Sequence, residues 1–363
     1  MALWRNVRFG VSAYLRNRTI KLSPRQRDYA WRDMANQDSL HLTYREARHS
    51  DYDAVMNIAS VDTFRDGFDY LPAKFHQWVD DPEAIMLVAE AEDKVLGVNV
   101  CIITDGGASL LSKTSRIASE LRGKKFYAKV MEEFDKTLMI LNPGLLQLER
   151  HGTANVDRPY LLKYFSNRKD ICLLDVMYFQ GTSNEVLDSL ETKDVLPSSP
   201  HPPVVPYQPS DMARLARPEF SQQILVDNFV FVDWDKYQLS ASNLHLFSKR
   251  GVIIVVDTIE PTAKSLSFGG SYMTPRGRVY HVDVHCRDVA LCQAHIKHHV
   301  GRACHEYEGM ITFCVMLIDP CLKTTSKTFC VESLKLVHLP RDHRYVCFSF
   351  MERVRSEPGK PRL

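Results

Sequence analysis

The sequence predicts an α/β fold, of the α+β kind with a mixed sheet, and three observations predict it. Strand-like runs from Ile85 to Ile117 give way to helical spacing at Phe126, Val130, Met131, Phe134 and Leu138, and strands then return. Pro197, Pro200, Pro202, Pro203, Pro206 and Pro209 make Thr192 to Pro209 a stiff linker, since proline continues neither a helix nor a ladder. The 363 residues are too many for one small domain and suit two.

Leu40 to Arg45 reads as a strand, and His49-Ser50-Asp51 then caps a helix carrying Tyr52, Val55, Met56 and Ala59. A short helix is expected over Leu71 to Val79. Ile85 to Glu90 and Val95 to Thr104 form a hairpin across Ala91–Lys94. Asp105-Gly106-Gly107 turns the chain into a strand from Ala108 to Ile117. The helix marked by Phe126 starts near Gly123 and stops before Asn142-Pro143-Gly144. A strand from Leu145 to Glu149, a short helix from Pro159 to Phe165 and a strand from Ile171 to Phe179 complete the order β-α-α-β-β-β-α-β-α-β. Beyond the linker come a strand over Val252–Asp257, a hairpin of Leu266–Met273 with Arg278–Cys286, a helix over Asp288–Cys304, and strands at Met310–Leu317 and Val346–Phe350. Hairpin, helix and strand repeat the second half of the first unit, so a degenerate internal duplication is expected. The expected divisions are a basic segment 1–39, a first domain 40–185, the linker 192–209, a second domain 210–352 and a polar tail 353–363.

Hydrophobic residues make up 45% of the chain and charged residues 25%, a globular rather than disordered composition. A formal net charge of +2 gives no reason to expect a nucleic-acid partner. Nine cysteines, an odd count scattered through apolar stretches, read as reduced and buried. No apolar run approaches the roughly 18–20 residues that span a bilayer. Residues 1 to 27 contain no acid and carry Arg5, Arg8, Arg16, Arg18, Lys21, Arg25 and Arg27. They read either as a mitochondrial transit peptide or as a disordered basic tail. A cytoplasmic location is expected, with the mitochondrion as the alternative.

The chemistry concentrates where the strand ending at Ile117 meets the helix. Ser119-Glu120-Leu121-Arg122-Gly123-Lys124-Lys125-Phe126 is a short basic glycine loop entering that helix. A helix N-terminus offers unpaired N–H groups and a positive dipole end, and glycine lets the backbone approach a phosphate. Arg122, Gly123, Lys124, Lys125 and Phe126 therefore form a pyrophosphate cradle, or else a solvated basic helix start.

Arg122-Gly123-Lys124 resembles the core of the R/Q-x-x-G-x-G/A acetyl-CoA motif of the GNAT superfamily, whose element order this is. Gly67-Phe68-Asp69-Tyr70-Leu71-Pro72 with Trp78 resembles the G-L-D-Y-L-P…W block of the histidine N-acetyltransferases and their vertebrate relatives. Asp233-Trp234, Ser242-Asn243-Leu244 and Arg250-Gly251 resemble their D-W…S-N-L…K-G block, and Lys163-Tyr164 a K-Y pair. The similarity runs from about Leu40 to Leu339. It implies a GNAT acyltransferase fold with a degenerate GNAT-like C-terminal domain. It also implies acetyl transfer from acetyl-CoA, without metal, to a small amine such as a free amino acid, histidine among them. In such enzymes the third and fourth strands splay apart. Pantetheine would pair with the backbone at Arg116 and Ile117, and Tyr164 would protonate the departing thiolate. Three departures stand out: Glu120 replaces Gln or Arg, Lys125 replaces the second glycine, and Lys113 replaces a Glu.

Other candidates carry alternatives. Tyr164 is a general acid or a core aromatic. Glu149 is a general base acting through water or an exposed strand end. Asp69, Tyr70 and Trp78 form an acceptor-amine pocket, or Asp69 caps a helix and Trp78 fills a core. Lys113 receives a substrate carboxylate or is a solvated strand residue. Cys286, Cys292, His295, His298, His299, Cys304 and His305 match no compact zinc spacing and read as a histidine-bearing amphipathic helix. The second domain's equivalent junction, Cys286-Arg287-Asp288, lacks glycine, so that domain is expected to wall the acceptor pocket rather than bind acetyl-CoA. The rival to an enzyme is a non-catalytic acetyl-CoA-binding protein on the same fold.

Overall fold

The computed structural model describes residues 41–60, 63–64, 67–107, 109–121, 126–141, 147–155, 171–192, 202–221, 224–225, 229–258 and 262–353. The basic segment 1–39, the loop Arg122–Lys125, the expected helix Pro159–Phe165 with Tyr164, and the side chains of Glu120, Phe126 and Glu149 lie outside the described residues.

The first segment holds β1 (Thr43–Glu46), a single turn His49–Asp51, α1 (Tyr52–Met56), α2 (Leu71–Asp80), β2 (Ala84–Ala91), β3 (Lys94–Thr104), β4 (Ser109–Ile117), α3 (Phe126–Leu141), β5 (Gln147–Asn155), β6 (Ile171–Thr182) and α4 (Ser183–Thr192). After it come β7 (Val205–Pro206), β8 (Phe229–Val232), β9 (Asp235–Gln238), α5 (Ala241–Lys249), β10 (Ile253–Val256), β11 (Leu266–Thr274), β12 (Gly277–His285), α6 (Val289–Glu306), β13 (Met310–Leu317), α7 (Lys323–Thr328) and β14 (Val337–Arg353). No helix among the described residues is long and apolar enough to cross a membrane.

Every strand except β8 and β9 joins one sheet, in the order β1-β2-β3-β4-β5-β14-β6-β13-β12-β11-β10-β7. Reading inward from either edge gives the same pairings. Antiparallel β1-β2-β3-β4 matches β7-β10-β11-β12, and parallel β4-β5 matches β12-β13. β14 then lies antiparallel on β5, β6 lies antiparallel on β13, and the two pair with each other at the centre. This near two-fold pattern is what a duplicated unit leaves. The halves have exchanged their last strands: residues 337–353 complete the sheet of the first half, and 171–182 that of the second. The expected division at the linker is therefore not a division of the sheet. The linker itself contributes β7, where Pro206 is tolerated because an edge strand needs fewer ladder donors.

One apolar core crosses the seam. It contains Leu71, Phe75, Leu87 and Phe134 from the first half and Leu244, Phe247 and Phe268 from the second. A smaller core under α6 joins Phe179, Val282, Ile296 and Phe313. The helix α6 starts where Asp288 accepts a hydrogen bond from Leu291 N at 2.9 Å, satisfying one of the orphan donors of its first turn. On its buried face His295 bonds Ser265 (2.8 Å) and Ser267 (2.7 Å), and His299 bonds Ser267 at 2.9 Å. The imidazoles expected on an amphipathic helix are thus tied to the serines of β11 and its approach. Cys101, Cys286, Cys292, Cys304, Cys314 and Cys330 are buried, and Cys321 is exposed.

Candidate active site

Lys113 marks the point where the first half opens. β4 pairs in parallel with β5 from Ser109↔Gln147 to Ser112↔Arg150, and no ladder joins the two strands beyond that among the described residues. On its other side β4 stays paired with β3 as far as Gly97↔Ile117. The register there jumps from Cys101↔Ser112 to Val100↔Thr114, so Lys113 is the extra residue of a β-bulge. A bulge bends its strand and re-aims a side chain, which suits a strand leaving its neighbour. The gap falls between the fourth and fifth strands in chain order, one place later than the expected third and fourth. In the second half the corresponding β12 and β13 remain paired from Arg278↔Ile311 to Val284↔Leu317, so that half has no gap.

The expected pocket residues meet beside this opening. Asp69 accepts from Arg116 at 2.5 Å and from Leu71 N at 3.0 Å, with both ion-pair side chains almost wholly buried. The Arg116 guanidinium also lies 4.1 Å over the Phe64 ring. Tyr70 donates its hydroxyl hydrogen to Lys113 O at 3.2 Å and packs edge-on against Trp78 and Tyr272. Asp69 is thus a partner of Arg116, and its turn onto Leu71 N does the local work expected of a cap.

Lys113 differs most from expectation. Its ammonium donates to the Asp233 carboxylate (3.1 Å), the Asp233 carbonyl (3.0 Å) and the Asp235 carboxylate. All three of its hydrogens thereby have protein acceptors, and none remains for a substrate carboxylate. The reason is the second half: the β8–β9 hairpin turns at Asp233 and Trp234, both with positive φ, and aims its two acids at the bulge. Burial pulls the Lys113 ammonium down, but Asp233 and Asp235 prevail and hold it well above the usual lysine range. Nearby, burial lowers Lys74 on α2, which lies in the field of Asp233 and Lys113.

The remaining shared blocks are seams as well. Asn243 donates to Asp105 Oδ1 (2.8 Å) and accepts from Asp105 N (2.9 Å), locking α5 to the turn between β3 and β4. Arg250 donates to Asp81 at 3.0 Å. Gly67 has φ +88°, and a β-carbon there would lie 2.3 Å from Arg276 Nε.

A family model described as "Histidine N-acetyltransferase, C-terminal" matches residues 199–318. The chain is 24% identical to probable N-acetyltransferase 16 of Homo sapiens over 283 residues, covering 74% of this chain and 75% of that one. It is 23% identical to the histidine N-acetyltransferase of Oreochromis niloticus over 324 residues, covering 84% and 92%. The chain is thus similar along most of its length to N-acetyltransferases, histidine N-acetyltransferases among them. Among solved structures, a tandem GNAT protein from the clavulanic acid biosynthesis pathway aligns with TM-score 0.49 at 11% identity, over 88% of this chain and all of that one.

Four residues of this candidate site carry no motif in the sequence: Asp235, His281, Asp283 and, as an acid, Asp233. Two signals were present. A lysine in place of an acid at 113 calls for opposite charges nearby. In Val279-Tyr280-His281-Val282-Asp283-Val284-His285, polar residues recur every second position on one face of a buried strand.

Proposed function

We propose that the protein transfers an acetyl group from acetyl-CoA to the amino group of a small molecule, a free amino acid such as histidine. The observation that carries this reading is the opening between β4 and β5 at Lys113, set against the closed β12–β13 pair of the duplicated half. An extended pantetheine would lie in that opening, along the edge of β4 at Arg116 and Ile117. Arg122, Gly123, Lys124, Lys125 and Phe126 would hold the pyrophosphate by backbone N–H groups at the start of α3. The amine, once deprotonated, attacks the thioester carbonyl. Tyr164 is the residue that would return a proton to the thiolate. Asp69, Tyr70 and Trp78 line the acceptor side, with the second half as its roof. The relatives named histidine N-acetyltransferase support the choice of acceptor.

Titration calorimetry of the full chain with acetyl-CoA tests the reading. Gly123→Glu, which puts an anion and a side chain at the pyrophosphate, is expected to remove binding while leaving the thermal midpoint in place. Undiminished binding would mean the cradle lies elsewhere. Tyr164→Phe is expected to lower kcat far more than acetyl-CoA affinity. Equal losses in both would contradict its role as the acid.

A further inference from the structure

We propose that His281, steered by Asp283, is the base that takes the proton from the acceptor's ammonium group. The proposal rests on the acetyl-transfer reading above. His281 and Asp283 sit two residues apart on β12, on the face that meets the β8–β9 hairpin. His281 Nδ1 bonds Asp283 Oδ2 at 2.8 Å, and the same oxygen accepts from Asp233 N at 2.8 Å. Asp233 is the residue that holds Lys113, so a short chain of hydrogen bonds ties the dyad to the bulge where β4 leaves β5.

Two polar atoms in this dyad lack partners. His281 is 4% exposed, and among the described residues its Nε2 accepts no hydrogen bond. Asp283 Oδ1 is sealed and has no hydrogen-bond partner. A buried polar atom such as Asp283 Oδ1 is rarely left unpaired without a reason, and both it and Nε2 are acceptors when the imidazole is neutral with its proton on Nδ1. They suit a donor-rich guest. An alkylammonium, with three hydrogens and a positive charge, is such a guest.

The surrounding charge agrees. Asp233 and Asp235 on the hairpin face Lys113 on β4, Lys74 on α2 lies in the field of Asp233, and Asp283 on β12 lies beside Asp233. Arg250, also in the field of Lys74, is paired with Asp81, so acids outnumber cations while His281 is neutral. From α6, His299 lies within the field of His281 but stays neutral because it is buried. Gly270 makes room for the ring, since a β-carbon there would lie 2.7 Å from His281 Nε2.

The acceptor R–NH3+ gives one proton to Nε2, making an imidazolium paired with Asp283. The neutral amine forms the N–C bond to the acetyl carbon as the C–S bond breaks. The second nitrogen proton goes, through the acid, to the departing thiolate. His281 then releases its proton to solvent. Burial pulls His281 down, but Asp283 outweighs it and holds the imidazole above its ordinary range. The rate therefore rises with pH as His281 loses its proton.

The experiment follows thiol release from acetyl-CoA across pH 6 to 9, with L-histidine and then other free amino acids as probes, on the full chain. His281→Gln is expected to lower kcat about a hundredfold and to flatten the rising limb, with acetyl-CoA affinity unchanged. Asp283→Asn is expected to move that limb to lower pH, because it removes what holds the imidazole up. Should His281→Gln fail to fold, the limb of Asp283→Asn decides. A His281→Gln enzyme as fast as the parent, or an unmoved limb in Asp283→Asn, would overturn the proposal. So would a parent that binds acetyl-CoA but acetylates none of the probes, an outcome that leaves the acetyl-CoA site standing. Absence of acetyl-CoA binding by the parent would sink the broader reading instead.

Discussion

Replacing Arg116 by methionine is expected to destabilise the protein by about 3–5 kcal/mol, the usual cost of leaving one partner of a buried ion pair uncompensated. Asp69 and Arg116 are 6% and 4% exposed and meet at 2.5 Å, so water cannot take the place of the lost guanidinium. Both residues also set the shape of the opening, since Arg116 lies on β4 past the bulge and Asp69 leads into α2. Urea unfolding of Arg116→Met measures the loss. The double variant Asp69→Asn with Arg116→Met should recover part of it, because no bare carboxylate then remains. A loss below about 1 kcal/mol would place the pair in water rather than in the core.

The second large effect is acid sensitivity of the C-terminal half. Burial lowers His285 to about 4 and His295 to about 3, and drives His299 well below its ordinary value. Each of these groups is fully neutral in the fold but takes up a proton in the unfolded chain below pH of about 6.5. A depressed folded value means that stability is intact above that pH and is lost as pH falls toward the folded values. Three protons correspond to a slope of about 4 kcal/mol per pH unit between roughly pH 6 and 4.5, at 1.36 kcal/mol each. The total approaches the 5–15 kcal/mol that ordinarily holds a domain together. Urea midpoints taken over this range should show that slope, and His295→Gln should lower it by one proton. A slope of one proton or less in the parent would mean that these imidazoles are hydrated rather than buried.

Much of this architecture was legible from residues alone. The strand Met310–Leu317 has the bounds its apolar run predicts, and α6 begins one residue after the capping Asp288. Those segments are governed by local periodicity and local caps. The segment β14 was not legible in full: Val346–Phe350 was expected, whereas the strand starts at Val337. Pro340, Arg341 and Asp342 interrupt the alternation, and the register against β6 breaks between Leu339 and His343 to absorb them. Its insertion between β5 and β6 depends on contacts about 157–206 residues apart, which no local pattern records. The site divides in the same way. Asp69, Tyr70, Trp78, Lys113 and Arg116 were found together through shared blocks. The acids that neutralise Lys113 sit 120 and 122 residues further on, where only the fold brings them to it.

The exchange of β6 and β14 also dictates when the opening can exist during synthesis. β5 gains its outer neighbour only from Tyr345–Arg353, about 190 residues or more further along the chain. Until those residues leave the ribosome, the first half carries an unsatisfied strand edge where its sheet should continue, and such an edge invites pairing with other chains. Translation at about 5–20 residues per second makes that exposure last roughly ten seconds or more after β5 appears. A nascent chain of this protein thus has more to gain from a holding chaperone than its folded form, in which β14 closes the sheet that β1 began.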